Sequence, residues 1–418
     1  MDLLTVVIPV HGLWDYTAAC LKSLAASLSG DFFRVVVADN ASTDETGTAC
    51  GPLGRELFGE RFSHLWLARN EGFARACNAG ADGSASRYLL FLNNDTICAG
   101  NWLPPLLKAM EGEKGVGAVS PLLIFPEDGP GGAPADGGRF EAGRVQHAGV
   151  CVDPNLHPVH VWSLFPPGHP AVGRRRTLQA LSAAALLLPG GLFRELGGFW
   201  PGFVNGGEDM DLSCRLRRAG YKLRLAPDSV IEHHTSMTPG RFDHAAANSR
   251  LLNERCQGCF APDLQRVWRS EGYEMRLSAW LEPYAVLPAA VAPEWRDDPA
   301  EAVAREPLWE AGYGLAAKRA SERGEAGEVC RLLGLRAGLF PSKEHFAAAL
   351  AGSLAAGNAA EERRWRLRLA QAEAMLARSG ELLERARGVI GWARGAGEAQ
   401  TVQLYGEWLR ARTGGGDG

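Results

Sequence analysis

The sequence predicts an α/β protein: a mostly parallel sheet flanked by helices, followed by an all-α C-terminal helical region. Three features point there. Apolar, β-branched runs alternate with helical patterns over residues 3–240. A polar cluster follows each of the first apolar runs. After Asp263 the composition shifts to Ala, Leu, Glu and Arg, with few β-branched residues.

The first run, Leu3 to Val10, is almost unbroken, as strands buried on both faces of a parallel sheet are. Asp15 to Leu28 places Ala18, Leu21, Leu24 and Leu28 at helical spacing. Phe33–Ala38 is a second buried strand, and a helix is expected after Ser42, where Thr43-Asp44-Glu45 supplies capping chemistry. Leu65–Leu67 reads as a third strand, Phe73–Ala81 as a helix and Tyr88–Leu92 as a fourth strand. Residues 126–143, rich in Gly, Pro and Asp, read as a mobile loop placed where a lid or acceptor loop could be. Order resumes at Leu178–Leu188. Gly197–Pro201 is a turn, Glu208 opens a helix, and Lys222–Ala226 and Val230–His234 are strand-like. Pro283 to Pro299 reads as a strand-poor linker. Helices follow at 306–322, 325–337, 343–355, 360–378, 381–394 and 397–412, in pairs that suggest α-hairpins of the tetratricopeptide kind. The expected domains are 1–262, 263–300 (linker or extension) and 301–418.

The chain has 418 residues and a net charge of −4, which argues against nucleic acid as a partner. Nine irregularly spaced Cys suit reduced, mostly buried thiols. Met1-Asp2-Leu3-Leu4 lacks a basic n-region, and the longest apolar run is far below the ~20 residues of a spanning helix. The expected location is cytoplasmic, with peripheral contact at the inner membrane face left open.

In a parallel α/β sheet the ligand sits beyond the carboxyl ends of the strands, so the residues just after each strand carry the chemistry. Asp95, in Asn93-Asn94-Asp95-Thr96, is placed to bind a divalent cation that bridges a pyrophosphate; a turn is the competing reading. Asp39-Asn40 could meet a nucleotide or cap a helix. Glu208-Asp209-x-Asp211 crowds three carboxylates at a helix start, where one could serve as a general base, and Gly206-Gly207 before it leaves room for a ligand. His233 could complete a metal site with Asp95.

In this order, Val6-Val7-Ile8-Pro9-Val10, Asp39-Asn40 through Asp44, Asn70-x-Gly72-Phe73 through Gly80, Leu92–Thr96, Gly197-Gly198-Phe199, Glu208-Asp209-x-Asp211-Leu212 and His233, the motifs resemble the family 2 glycosyltransferases of the GT-A fold, in their rhamnosyltransferase-like branch. The resemblance covers residues 3–240. It implies that Pro9, Val10, Asp39 and Asn40 hold base and ribose, and that Asn70, Gly72 and Asn78 line the donor pocket. Asn93-Asn94-Asp95 stands at the family's D-x-D, with Asp95 and His233 on Mn²⁺ or Mg²⁺. Asp209 is the implied base, supported by Glu208 and Asp211. Asn93 replaces the motif's first Asp, and an amide is the weaker ligand. The implied donor is a UDP- or dTDP-sugar. The implied acceptor is a glycan, a lipid-linked group or a protein, in bacterial surface polysaccharide or glycoconjugate synthesis. The C-terminal helices could bind an acceptor or pair two copies.

Two rivals stand beside this reading. A sugar nucleotidyltransferase needs a Gly-rich loop after the first strand, where this chain has Pro9-Val10-His11-Gly12. A non-catalytic nucleotide-sugar-binding scaffold with a helical partner domain is disfavoured by the intact Glu208-Asp209-x-Asp211.

Overall fold

The computed structural model describes residues 2–126, 141–234, 243–291 and 293–413. The segment read as a lid, the Thr235-Ser236 stretch and the Gly-rich tail lie wholly or largely outside these. Two compact units are present: residues 1–151 with 158–261, and residues 152–157 with 262–418.

The first unit is built in the order β1 (Leu4–Val10), α1 (Trp14–Ser27), β2 (Phe33–Asp39), α2 (Thr46–Phe58), β3 (Phe62–Trp66), α3 (Phe73–Ala81), β4 (Tyr88–Leu92), β5 (Thr96–Cys98), α4 (Leu103–Glu111), β6 (Val116–Ile124), β7 (Val145–His147), β8 (Val150–Val152), β9 (Pro158–His160), α5 (Pro170–Gly173), β10 (Ala185–Pro189), α6 (Gly190–Glu195), α7 (Glu208–Arg218), β11 (Lys222–His233) and α8 (Ala245–Arg255). The main sheet runs β3-β2-β1-β4-β10-β6-β11-β5, with β7 beside β6. Strands β3, β2, β1 and β4 are mutually parallel, as are β6 and β11; β10, β5 and β7 run antiparallel to their neighbours. This mixed sheet with flanking helices is the GT-A arrangement that the resemblance implies.

Burial on both faces explains the apolar runs. In β1, Leu4, Val6 and Ile8 pack with Cys20, Leu21 and Leu24 of α1. Val7, between them, packs in the opposite core with Ala74 and Cys77 of α3. Strand alternation sends successive side chains to opposite faces, and both faces are covered. Helix α3 lies so close that a Cβ on Gly80 would stand 2.5 Å from Val7 Cγ1.

Strand β6 went unread in the sequence because Gly117 and Pro121 interrupt it. A Cβ at Gly117 would stand 2.6 Å from Tyr221 Cβ. Pro121 pairs with Ala226 where β11 slips register, so the missing N–H falls at an irregularity in the ladder. That irregularity also splits the pattern of β11, read as two pieces but continuous in space. Eight of the nine cysteines are buried.

The second unit holds α9 (Leu264–Ser270), an antiparallel hairpin of β12 (Glu274–Leu277) and β13 (Pro283–Val286), α10 (Pro299–Arg305), α11 (Glu310–Glu322), α12 (Ala326–Leu339), α13 (Lys343–Ala355), α14 (Ala359–Ala377), α15 (Ser379–Ala396) and α16 (Ala399–Thr413). The hairpin enters the segment read as a strand-poor linker. Pro283 is tolerated there because it is the first residue of its strand. From α11 on, successive helices pack against one another. Aromatic rings of Phe346 and Trp365 meet at 5.7 Å between α13 and α14.

Candidate active site

The parallel strands β1, β2 and β4 end on one edge of the sheet, and a cleft of about 320 Å³ opens there. It gathers residues from many parts of the first unit. Pro9, Val10, Asn40, Asn70, Asn93, Asn94, Asp95, Glu208, Asp209 and His233, all singled out in the sequence, line it.

One end is a web of amides. Asn40 Nδ2 donates to Asn70 Oδ1 (2.8 Å), and Asn40 Oδ1 accepts from Glu71 N–H (2.7 Å). Asn70 Oδ1 also accepts from Gly72 N–H at 3.0 Å. His11 donates from Nδ1 to the Asn40 carbonyl at 2.9 Å, since a carbonyl only accepts. Asn94 donates to Thr17 Oγ1 at 2.9 Å.

Three of the sequence-selected residues hold this wall from behind and are not among those lining the cleft. Asp39 is fully buried; its carboxylate accepts from Ser42 N–H (2.8 Å) and meets His64 Nε2 at 3.2 Å. Burial pushes its pKa up, but the hydrogen bonds to His64 and Ser42 outweigh burial and hold it below the ordinary 3.8. Asn78 clasps Phe199 by both backbone groups, donating to its carbonyl (2.7 Å) and accepting from its N–H (2.9 Å). Gly72, at φ 84°, caps α3 in a conformation that favours glycine.

The middle of the cleft is the meeting of β4, β7 and β11. Asp95 Oδ1 lies 3.2 Å from His233 Nε2, and Asn93 Nδ2 lies 3.4 Å from the same nitrogen. Asp95 and His233 are 7% and 4% exposed, so water screens the contact little. Asn93 Oδ1 is buried with no hydrogen-bond partner among the described residues. Gln146, on β7, holds His233 twice. Next to it, His147 Nε2 faces Ser182 N–H (3.4 Å), and His147 Nδ1 lies 3.2 Å from Nδ1 of His160 on β9. Burial, then the neighbouring His160 and His233, hold His147 well below its ordinary pKa and keep it neutral.

The other end is the start of α7. Gly206 and Gly207 adopt φ 134° and 94°, and a Cβ on Gly207 would stand 2.9 Å from the Phe203 ring. Glu208 Oε2 accepts from Gly206 N–H at 2.8 Å. Asp209 Oδ1 accepts from Met210 N–H (2.8 Å), and Ala183 N–H points at its Oδ2 from 3.4 Å. Asp211 is placed differently. It is 1% exposed, is not among the lining residues, and is clamped by Arg215 Nε (2.8 Å) and Arg255 Nε (2.6 Å).

Gln146, His160 and the Ser182–Ala184 turn are cleft residues that sequence reading missed. They stand on short strands and loops with no periodicity, so no local signal marks them.

The family model "Glycosyl transferase family 2" matches residues 5–146, and "Glycosyl transferase family group 2" matches residues 90–247. The chain is 26% identical over 283 residues to "Uncharacterized protein y4gI" of Sinorhizobium fredii, covering 65% of this chain and 28% of that one. It is 28% identical over 240 residues to "O-antigen biosynthesis protein RfbC" of Myxococcus xanthus, covering 56% and 17%. The chain thus spans under a third of the length of these two relatives. It is 26% identical over 289 residues to "N-acetylglucosaminyl-diphospho-decaprenol L-rhamnosyltransferase" of Mycobacterium tuberculosis, covering 64% and 90%. Among solved structures, a mannosyltransferase from Pyrobaculum calidifontis in complex with GDP-Man and Mn²⁺ is similar at a TM-score of 0.42 and 17% identity, covering 90% and 86%.

Proposed function

Residues 5–247 belong to the family 2 glycosyltransferases, and on that premise we propose that the cleft binds a nucleotide-diphosphate sugar and passes its sugar, with inversion, to an acceptor hydroxyl. One observation carries this reading. A cation-type pair, Asp95 with His233, and the carboxylate of Asp209 line one cleft at the carboxyl edge of the sheet.

The residues present fit a divalent cation. A carboxylate and an imidazole already face one another at 3.2 Å, and Asn93 adds a buried amide oxygen that lacks a partner among the described residues. No group of three or more His, Cys, Asp or Glu able to hold a metal occurs among the described residues. Asp95 and His233 would therefore hold Mn²⁺ or Mg²⁺ together with diphosphate oxygens and water, as hard cations are commonly held. When bound, the ion would offset the charge that grows on the departing diphosphate.

The chain's own residues do the rest. The Asn40–Asn70 web, with His11, Pro9 and Val10, offers donors, acceptors and apolar contact to the base and ribose. Asp209 takes the proton of the acceptor hydroxyl, held by the N–H groups of Met210 and Ala183. The acceptor oxygen bonds to the anomeric carbon as the bond from that carbon to the diphosphate breaks. One displacement inverts the centre, and no covalent nucleophile is needed. Glu208 braces the Gly206 backbone beside it. Asp211 supports the base by holding α7 in place.

For substrates, the reading is a UDP- or dTDP-sugar donor and a lipid-linked or glycan acceptor in bacterial surface polysaccharide synthesis. The names of the Myxococcus and Mycobacterium relatives support the surface-polysaccharide and lipid-linked acceptor parts of it. A lipid-linked acceptor would bring the protein to a membrane surface, although no helix among the described residues is long and apolar enough to cross one. The second unit, with Leu354, Leu367 and Trp392 exposed on α13 to α15, is read as a surface for an acceptor or a second copy.

The test is a thermal-shift screen of UDP-, dTDP- and GDP-sugars with and without Mn²⁺. A donor at 100 times its Kd adds about 2.7 kcal/mol of stability. The stabilising donor is then used for turnover. Asp209→Asn is expected to lose roughly 10²–10⁴ in kcat while still being stabilised by the donor. Failure of every donor to stabilise the protein, or unchanged turnover in Asp209→Asn, defeats the reading.

A further inference from the structure

We infer that Gln146 is a positioning residue that fixes His233 in the one tautomer able to bind a divalent cation. This rests on the reading of the cleft given above and adds a residue that the reading does not use.

The argument begins at a backbone carbonyl. Gln146 Nε2 lies 2.7 Å from the His233 carbonyl oxygen, which only accepts. The NH₂ end of the amide is therefore the end at that carbonyl. The other end, Oε1, lies 2.5 Å from His233 Nδ1. An amide oxygen only accepts, so Nδ1 carries the hydrogen. In the neutral ring, which has one N–H, the lone pair of His233 is then on Nε2.

That lone pair faces Asp95 Oδ1 at 3.2 Å. Two acceptors at that distance repel unless a proton or a cation lies between them. Ligands at right angles on an octahedral ion with bonds of about 2.1 Å stand roughly 3 Å apart. The Asp95–His233 separation is close to that spacing. Metal-bound histidines commonly give their other N–H to an oxygen acceptor that fixes the ring, and here Gln146 is placed to be that acceptor.

The frame around the clasp is stiff. Gln146 is 7% exposed. Its strand β7 pairs with β6, and β6 pairs with β11, which ends in His233. An amide suits the place better than a carboxylate. Glutamate would set a second oxygen against the His233 carbonyl and add a buried charge.

Two measurements on the full chain test this. In long-range ¹H–¹⁵N spectra of metal-free, ¹⁵N-histidine protein at pH 8, with His233 assigned by substitution, the Nδ1–H tautomer is expected. The Gln146→Leu variant is expected to lose that preference. In titrations with Mn²⁺ alone, read by electron paramagnetic resonance, Gln146→Leu is expected to bind about 10–100-fold more weakly than the parent. Gln146→Glu, which keeps the acceptor, is expected to fall between them. If the parent binds no Mn²⁺, or Asp95→Ala binds it as the parent does, the reading of the cleft falls. If Asp95→Ala loses the ion but Gln146→Leu keeps it, the role of Gln146 alone falls. An Nε2–H tautomer in the parent overturns that role by itself, even if Gln146→Leu does not fold.

Discussion

Replacing Asp211 by alanine is expected to unfold the first unit early rather than to stop its chemistry. The side chain is 2% exposed and accepts two charge-assisted hydrogen bonds, from Arg215 Nε at 2.8 Å and Arg255 Nε at 2.6 Å. Neither partner is able to swing away freely. Arg215 also donates to the Leu196 carbonyl at 2.8 Å, and Arg255 stacks over Trp200 at 3.8 Å. Removing one member of a buried ion pair costs roughly 3–5 kcal/mol, because the other charges stay desolvated. Here the two arginine side chains keep 19% and 24% exposure, which favours the low end of that range. For a unit of this size, about 3 kcal/mol lowers Tm by roughly 6–12 °C. The assay is a thermal scan of Asp211→Ala beside the parent, with kcat measured well below both transitions. A drop in Tm below about 2 °C combined with a large loss of kcat would refute the argument. It would return Asp211 to the chemistry that its motif suggested.

Other outcomes follow from the same geometry. The folded pKa of Asp39 lies below its ordinary 3.8, because its hydrogen bonds to His64 and Ser42 outweigh burial. A depressed carboxylate stabilises the fold above its unfolded pKa and loses that contribution as pH falls through the folded value. Asp39→Asn is therefore expected to flatten the acid limb of a stability–pH curve below about pH 4, and an unchanged acid limb counts against it. Gly80→Ala sets a methyl 2.5 Å from Val7 Cγ1 in a filled core. It is expected to destabilise by about 1–3 kcal/mol in urea titration, and neutrality would mean that α3 moves aside at little cost.

Much of the architecture is legible from pattern. The run Leu3–Val10 announces a strand covered on both sides, and Val7 and Ile8 do pack into opposite cores. The C-terminal helices were expected at 343–355 and 360–378 and lie at Lys343–Ala355 and Ala359–Ala377. Such segments are legible because burial imposes a period on neighbouring residues. Strand β6 was not, because its glycine and proline answer to Tyr221 and to the slip in β11, far along the chain.

The candidate site divides in the same way. Asp95, Asp209 and His233 stand at strand and helix ends, and a strand end or a helix start is a local feature that a sequence displays. Composition, periodicity and motif order were enough to pick these residues out and to suggest their family. The sequence had no means of separating Asp209, which lines the cleft, from Asp211, which answers to two arginines. It could not show that Asp39 and Asn78 brace the wall from behind. Nor could it find Gln146, whose meaning lies in the distance to a histidine on another strand. Periodicity is set by which side of an element is buried. The role of a polar side chain is set by the atoms within 3 Å of it, and the tertiary structure alone brings those together.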